Sequence, residues 1–215
     1  MAIQRQRVAD ASRRLAAEGL VLGTAGNVSE RDGDHVAITP TGARLAELGA
    51  GDITVVDRTG AHVEGALAPT SELALHLAIY DRYEAGAVVH AHPPMATALS
   101  CVIDELPLVH YGMLAFGGAV RVAPYATFGS DELAEQTVAA LDGRNAALMA
   151  NHGMVAFAAD LTTAVDNTLL LEWACEVYWR ATAVGTPKTL GAEEQHAVLE
   201  TVAQRAYGTT QRVRG

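Results

Sequence analysis

The sequence predicts one α/β domain over residues 1–215, with a largely antiparallel central sheet and helices on both faces. Strand-length apolar runs interleave with segments of helical periodicity along the chain. Half of the residues are hydrophobic, which gives a chain of 215 residues enough apolar side chains for a core. No repeat, low-complexity tract or linker interrupts this pattern before the polar stretch 185–191.

The predicted elements follow from start and stop signals in chain order. In the first half we expect a helix over 3–18 that Gly19 ends, a strand over 35–39, a short helix over 43–48, a hairpin around 57–60 and a helix over 71–83 capped by Thr70 or Ser71. In the second half we expect a strand ending near His90, a short helix after Pro94, a strand over 120–123, a helix from Ser130 to 142, strands on either side of His152, and helices over 161–183 and 192–206. We interpret the small-residue segment 23–29 as a loop.

Composition excludes several functions. The formal net charge of −10 argues against a nucleic-acid partner, whose backbone favours basic surfaces. The apolar runs are too short to span a membrane, and residues 1–7 lead into an amphipathic helix, so we expect a cytoplasmic protein without a membrane partner. Cys101 and Cys175 are too few for a disulfide framework. Lys188 is the only lysine and lies in a polar stretch, which disfavours Schiff-base catalysis.

The segment Val88–Pro93 places two histidines two residues apart at the end of an apolar strand. Because side chains at i and i+2 project from the same face, His90 and His92 can reach one metal ion. Pro93 and Pro94 stop the strand, so the pair lies at its edge. Alone, this pattern also fits a half-exposed strand with two solvated histidines.

Two further segments offer ligands. His152 lies between two apolar runs beside Gly153, which permits close backbone approach, although an isolated histidine there would more often bond a carbonyl in the core. Glu72 precedes an apolar helix, where a glutamate also simply complements the helix dipole. Three imidazoles and one carboxylate suit Zn²⁺ or a similar divalent ion. The sequence therefore predicts a metal centre of Glu72, His90, His92 and His152.

The other histidines are weaker candidates. His76 shares a helix with Glu72, but its leucine neighbours favour a packed or partly exposed side chain. His110, beside Tyr111, is the main competitor as a ligand. Polar or charged surroundings predict that the remaining three are solvated: His35, His62 and His196.

Three turns rich in glycine and hydroxyl groups predict an anion site. They are Gly23–Ser29, Ile38–Gly42 and the Thr70–Ser71 pair at a helix start. Exposed backbone N–H groups, hydroxyls and a helix N-terminus together hold a phosphate without lysine, although each turn alone is commonly just a turn. No dinucleotide or P-loop glycine pattern is present.

Taken together, these motifs make the sequence resemble the class II aldolase/adducin family. Seven motifs occur in the order and approximate spacing of that family, over nearly the whole chain: Thr24–Ser29, Ile38–Gly42, Ser71–Glu72, Val88–His92, His110–Tyr111, Ala123–Gly129 and His152–Gly153. The segment 112–116 and the tail after Gly208 depart from the family pattern in regions that shape the aldehyde pocket.

The resemblance implies a three-layer α/β/α homotetramer with active sites at its subunit interfaces. It implies one Zn²⁺ per subunit, with Mn²⁺ or Co²⁺ as alternatives, held by the four ligands named above. A phosphorylated small sugar would bind through Thr24, Gly26, Asn27, Thr41, Gly42, Thr70 and Ser71. Glu72, Tyr111 and Tyr207 would be catalytic, the tyrosines coming from a neighbouring subunit or the tail. The implied reaction cleaves a ketose 1-phosphate similar to L-fuculose 1-phosphate into dihydroxyacetone phosphate and a small aldehyde.

The same scaffold supports other activities, which the sequence leaves open. Ribulose-phosphate 4-epimerases share the metal histidines but carry aspartate at the position of Glu72. A methylthioribulose-1-phosphate dehydratase would lose water without breaking a carbon–carbon bond. A non-catalytic adducin-like module is disfavoured because the four metal ligands are all present.

Overall fold

The computed structural model describes residues 1–205, which contain six α-helices and nine strands. The helices are α1 (Ala2–Ala17), α2 (Leu73–Arg82), α3 (Pro94–Ser100), α4 (Asp131–Ala140), α5 (Leu161–Val184) and α6 (Ala192–Arg205). The strands are β1 (Asn27–Asp32), β2 (His35–Ile38), β3 (Thr54–Asp57), β4 (His62–Glu64), β5 (Ala87–Ala91), β6 (Glu105–Leu106), β7 (Val120–Ala123), β8 (Ala146–Met149) and β9 (Gly153–Ala158). Among these residues, no helix combines the length and apolar character needed to cross a membrane.

All nine strands form one sheet in the order β4-β3-β2-β1-β5-β9-β8-β7-β6. Every neighbouring pair is antiparallel except β7 and β8, which are parallel. The predicted α/β class with a largely antiparallel sheet is therefore confirmed. In this register Asn27 of β1 lies opposite His90 of β5, at the centre of the sheet.

Helices cover both faces of the sheet. On one face, α2 and α4 pack on inward side chains such as Val36, Val88 and Val155. On the other face, α1, α3 and α5 pack on the alternate side chains of the strands, including Val28 and Val89. Alternation along each strand thus divides the core into two layers. His90 lies two residues after Val88 on the same strand, and Asn27 lies opposite His90. Both side chains therefore project to the α2 face.

Strand β1 corrects our interpretation of residues 23–29 as a loop, because the strand already begins at Asn27. Only Val28 in this strand is a large apolar residue, so the sequence shows no apolar run. Asn27, Ser29 and Glu30 are nevertheless buried. Each of them bonds to a side chain of a distant segment, which offsets part of the usual cost of burial, although Oε2 of Glu30 has no hydrogen-bond partner among the described residues. The two-residue strand β6 was also not predicted.

The start of α2 corrects the predicted cap. The helix begins at Leu73 and the N-cap position is Glu72, with no side-chain cap hydrogen bond. Neither Thr70 nor Ser71 caps the helix, although the Thr70 hydroxyl accepts a bond from the Glu72 amide at 3.3 Å. The predicted helix over 43–48 is a short 3-10 turn, Leu45–Glu47, followed by a second, Ala50–Asp52.

Candidate metal centre and substrate cleft

The four predicted metal ligands converge in the structure. The ligand atoms of Glu72, His90, His92 and His152 all lie within 4.8 Å of one another. Nε2 of His90 is 2.8 Å from Nε2 of His92 and 3.0 Å from Oε2 of Glu72. Nε2 of His152 is 3.4 Å from Oε1 of Glu72. The fold thus brings together side chains that lie as far apart in the sequence as residues 72 and 152.

Three elements position these side chains. His90 lies on β5, and His92 follows the end of that strand, where Pro93 and Pro94 begin the connection to α3. His152 lies in the turn between β8 and β9. Gly153 allows this turn to approach β5, because a Cβ there would come within 2.6 Å of the Ala91 carbonyl oxygen.

A hydrogen bond behind His90 sets the form of its ring. Nδ1 of His90 donates to the Met154 carbonyl oxygen at 2.8 Å, since a carbonyl can only accept. A neutral His90 therefore presents an unprotonated Nε2 to Glu72 and His92. Such an outer partner is typical of metal-binding histidines, because it fixes both tautomer and ring orientation.

These residues fit a divalent metal ion. Oε1 of Glu72 is buried and accepts no hydrogen bond, although an unpaired buried carboxylate oxygen is costly. A cation between this oxygen and the imidazole nitrogens would provide the missing partner. Three nitrogens and one carboxylate oxygen are a donor set that suits Zn²⁺.

The electrostatics favour the protonation states that ligate metals. Burial tends to raise the pKa of Glu72, but His90 and the hydrogen bond from Asn27 outweigh it and hold that pKa below its ordinary value. Burial and the nearby His90 lower the pKa of His92 to about 3 and that of His152 to about 4. At neutral pH, Glu72 is therefore a carboxylate and His92 and His152 are neutral.

The predicted anion-binding residues line one cleft next to this cluster. The cleft has a volume of about 400 Å³, and Glu72, His92 and His152 form part of its wall. All seven predicted phosphate-binding residues line it as well: Thr24, Gly26, Asn27, Thr41, Gly42, Thr70 and Ser71. The described lining contains no lysine or arginine, so hydroxyls, an amide and backbone N–H groups supply the donors.

Backbone contacts hold the three turns together. Thr41 N donates to Ala68 O at 3.1 Å, and Thr70 N donates to Thr39 O at 3.0 Å. Gly26 has φ of 91°, and a Cβ there would lie 3.0 Å from the His90 carbonyl oxygen. Glycine therefore allows the first turn to pass directly against strand β5, which carries His90.

Part of the cleft wall carries residues to which the sequence had assigned no role. Tyr125, Phe128 and Asn151 line it, and the two aromatic rings are largely exposed. The available signals were the Ala123–Gly129 motif and the position of Asn151 beside His152. Asn151 has φ of 56°, a backbone conformation that asparagine tolerates better than most residues.

The predicted catalytic tyrosines are not brought to this cleft within the described chain. Tyr111 begins the 3-10 segment Tyr111–Phe116, and its ring lies 4.4 Å from that of His110, outside the cleft lining. Tyr207 lies outside the described residues. His110, the competing ligand, also lies outside the metal cluster, and its Nδ1 accepts a bond from Gly112 N.

His76 is packed, as expected, but it is also part of the surroundings of the site. The ring is fully buried and bonds to Asn27 on one side and Ser29 on the other. Its leucine neighbours in the sequence gave no sign of these partners. By contrast, His35, His62 and His196 are exposed, in agreement with the sequence.

Comparison with known proteins adds independent information. Residues 6–179 match a family model described as "Class II Aldolase and Adducin N-terminal domain". The chain is 40% identical over 198 residues to the 5-methylthioribulose-1-phosphate/5-deoxyribulose-1-phosphate aldolase of Rhodospirillum rubrum, with 91% of this chain and 89% of that protein covered. It is 38% identical over 196 residues to an L-fuculose phosphate aldolase of Escherichia coli, with 90% and 91% covered. A solved structure of an L-fuculose 1-phosphate aldolase aligns with a TM-score of 0.90 at 37% identity, covering 94% of this chain and 97% of that one.

Proposed function

The chain belongs to the class II aldolase and adducin family, and we propose that it is a metal-dependent aldolase that cleaves a ketose 1-phosphate into dihydroxyacetone phosphate and a small aldehyde. One observation carries this proposal. The cluster of three histidines and Glu72 opens into the same cleft as three turns rich in backbone and hydroxyl donors. Such a cleft suits a substrate with a phosphate at one end and oxygen ligands for a metal near the other.

The phosphate would bind between the three turns. Hydroxyls of Thr24, Thr41, Thr70 and Ser71, the Asn27 amide and the backbone N–H groups at Gly26 and Gly42 are the available donors. These donors are neutral, so they hold the phosphate by hydrogen bonding and leave the product free to dissociate.

A divalent ion, with Zn²⁺ the first choice and Mn²⁺ or Co²⁺ as alternatives, would be held by Glu72, His90, His92 and His152. Bound there, it supplies positive charge where carbon–carbon cleavage leaves negative charge on the carbonyl fragment. The neutral rings of His92 and His152 and the carboxylate of Glu72 are already in the states that this role requires.

Glu72 would also transfer protons. Its Oε2 is engaged by Asn27, whereas Oε1 has no hydrogen-bond partner and belongs to a residue that lines the cleft. Oε1 is therefore the atom we assign to accept the proton of the substrate hydroxyl that becomes the aldehyde, and to return it to the carbon of the phosphate-bearing fragment that loses the carbon–carbon bond.

Tyr111 would steady the leaving aldehyde, by a hydrogen bond from its hydroxyl to the aldehyde oxygen, from a neighbouring subunit of a homotetramer. The position of Tyr111 outside the cleft of its own chain supports this arrangement, since it cannot serve that cleft directly. A similar role for Tyr207 stays a prediction, as does the cytoplasmic location.

The substrate end that becomes the aldehyde would be apolar. Tyr125 and Phe128 place largely exposed rings at the cleft, beside Ala126. The sugars in the names of the relatives above, L-fuculose, 5-deoxyribulose and 5-methylthioribulose, all end in a carbon without a hydroxyl. We therefore infer that a deoxy- or methylthio-ketose 1-phosphate is the substrate class.

The decisive experiment incubates the Zn²⁺-loaded protein with the 1-phosphates of those three ketoses and identifies the products. D-Ribulose 1-phosphate is the matched control, because it differs from 5-deoxyribulose 1-phosphate by one hydroxyl at the apolar end. We expect dihydroxyacetone phosphate plus an aldehyde, with kcat/KM roughly 10-fold lower for the hydroxylated control.

Other products would contradict the proposal in distinct ways. An isomeric ketose phosphate would indicate an epimerase, and a product that has lost water would indicate a dehydratase. Binding without turnover would indicate a non-catalytic module. The glutamate at position 72, where the epimerases carry aspartate, supports the aldolase, and the exposed Lys188 offers no buried amine for a Schiff base.

A further inference from the structure

Behind Glu72, a line of buried side chains connects helix α2 to strand β1. Asn27 Nδ2 lies 2.8 Å from Glu72 Oε2, and Asn27 Oδ1 bonds to His76 Nε2. His76 Nδ1 lies 2.7 Å from Ser29 Oγ, which in turn lies 2.7 Å from the Tyr80 hydroxyl. These four side chains are at most 4% exposed, so water does not compete for their bonds.

The chemistry of the groups fixes the direction of every bond in this line. A carboxylate only accepts, so Asn27 turns its NH₂ group to Glu72 and its carbonyl oxygen to His76. His76 must then donate from Nε2, which leaves Nδ1 to accept from the Ser29 hydroxyl. The Ser29 oxygen accepts from the Tyr80 hydroxyl.

A neutral His76 satisfies this arrangement, because neutral imidazole has one donor and one acceptor nitrogen. Burial and the nearby His90 lower the pKa of His76 to about 3, so the ring is neutral in solutions near pH 7. If Asn27 instead turned its carbonyl oxygen to Glu72, two acceptors would face each other and His76 would face an NH₂ group. Donation from Nε2 of His76 is therefore the partner that matches, and holds, the orientation of Asn27 that the Glu72 carboxylate requires.

We propose that His76 is a positioning residue that orients the Asn27 amide, so that Asn27 holds Oε2 of Glu72 and leaves Oε1 directed to the metal and the substrate. The two oxygens already differ in this way, since Oε2 is bonded to Asn27 and Oε1 has no hydrogen-bond partner. The inference rests on the metal site of the proposed function. It adds a residue that touches neither ion nor substrate.

Two substitutions of His76 separate this role from simple packing. In His76→Gln the amide nitrogen takes the place of Nε2 and can still donate to Asn27. In His76→Asn the shorter side chain reaches Ser29 but not Asn27. Both place a polar amide in the same buried position, so a purely structural role predicts similar losses of stability in both.

The measurement is Co²⁺ binding to the metal-free full-length chain, followed by the visible absorption of the bound ion and by competition with a chelator. We expect His76→Gln to stay within about 3-fold of wild-type affinity and to keep its spectrum. We expect His76→Asn to lose roughly 10-fold or more and to change the spectrum, as for other outer partners of metal ligands.

A graded series covers the case in which His76→Asn does not fold. Ser29→Ala removes the donor to His76 Nδ1 and should weaken Co²⁺ binding by several-fold, whereas Tyr80→Phe, one bond further from Glu72, should have a smaller effect. Wild-type affinity and spectrum in folded His76→Asn, or in Ser29→Ala if the former does not fold, would overturn the inference. Failure of the wild-type chain to bind Co²⁺ would instead overturn the proposed metal site, and this inference with it.

Discussion

The two oxygens of Glu72 have different surroundings. Oε2 receives the Asn27 amide and faces His90 Nε2 at 3.0 Å, whereas Oε1 is buried without a hydrogen-bond partner. One oxygen is thus suited to hold position and the other to exchange partners during a reaction. This asymmetry allows ligation and proton transfer to be tested separately at one residue.

We predict that Glu72→Gln retains most of its metal and loses most of its activity. Glutamine keeps one carbonyl oxygen, which can face the ion if the Asn27 amide flips to accept from the glutamine NH₂ group. Glutamine accepts no proton at neutral pH, so cleavage should fall by roughly 10²-fold or more. Metal content and steady-state cleavage of a ketose 1-phosphate are the two measurements. Lys188→Ala is the control, and we expect it to keep near-normal turnover. Borohydride added to the wild-type protein with substrate should trap no adduct. Wild-type turnover in Glu72→Gln would show that the carboxylate is only a ligand.

The histidine ligands give a second prediction at this scale. His92→Ala and His152→Ala each remove one of four donors, so the bound metal should fall from about one per chain to a small fraction. Metal analysis after dialysis against a weak chelator measures the loss. His62→Ala, which changes an exposed histidine outside the cluster, should bind as the wild type does. Full occupancy in both ligand variants would refute the assignment.

At the scale of elements, the turn between β8 and β9 places a ligand by close backbone approach. Gly153 opens β9 directly after His152, and β9 pairs with β5, which carries His90. A Cβ at position 153 would lie 2.6 Å from Ala91 O and 2.7 Å from Cδ2 of His92. No well-packed Cβ makes such contacts, so the two segments would have to separate.

We therefore predict that Gly153→Ala weakens metal binding by roughly 10-fold or more, since small displacements of a ligand shell are costly. Thermal unfolding of the metal-free protein should also show a destabilisation of about 1–3 kcal/mol from overpacking. Gly51→Ala is the matched control, because a Cβ at Gly51 has open space around it and should change neither quantity. Unchanged metal affinity in a folded Gly153→Ala would mean that the close approach of β9 to His92 does not determine the geometry of the metal site.

At the scale of the whole molecule, the described residues of one chain bring together only part of the proposed site. The metal cluster and the hydroxyl-rich turns share one cleft, but Tyr111 lies outside it, near the apolar residues Val198 and Val202 of α6. If Tyr111 acts in this cleft, it must therefore come from a neighbouring subunit. The role proposed for Tyr111 therefore depends on the proposed homotetramer.

Mixed oligomers test that link. Glu72→Gln and Tyr111→Phe chains should each be poorly active alone, yet co-expression should produce some sites with an intact Glu72 from one chain and an intact Tyr111 from another. For random 1:1 assembly we expect roughly a quarter of wild-type activity. Mixing the two proteins without subunit exchange is the control. No recovery in verified mixed oligomers would place Tyr111 outside the active site of its neighbour.

Local patterns in the sequence determined the four proposed metal ligands and most elements of the fold. The spacing of His90 and His92, the two prolines after them and the apolar runs around His152 depend on residues close together in the chain. Their backbone geometry follows directly from strand alternation and from proline. The α/β class and the long helices were predictable for the same reason.

Only the tertiary structure decided which polar residues are buried and what they contact. Asn27 and Ser29 form a strand rather than a loop because His76 and Tyr80, more than 40 positions away in the sequence, provide their hydrogen-bond partners. The same long-range packing begins α2 at Leu73 and directs Glu72 to the histidines instead of to a cap. The sequence alone does not distinguish a polar residue that is buried from one at the surface. The hydrogen-bond partner that offsets the desolvation of a buried polar residue is brought near only by folding.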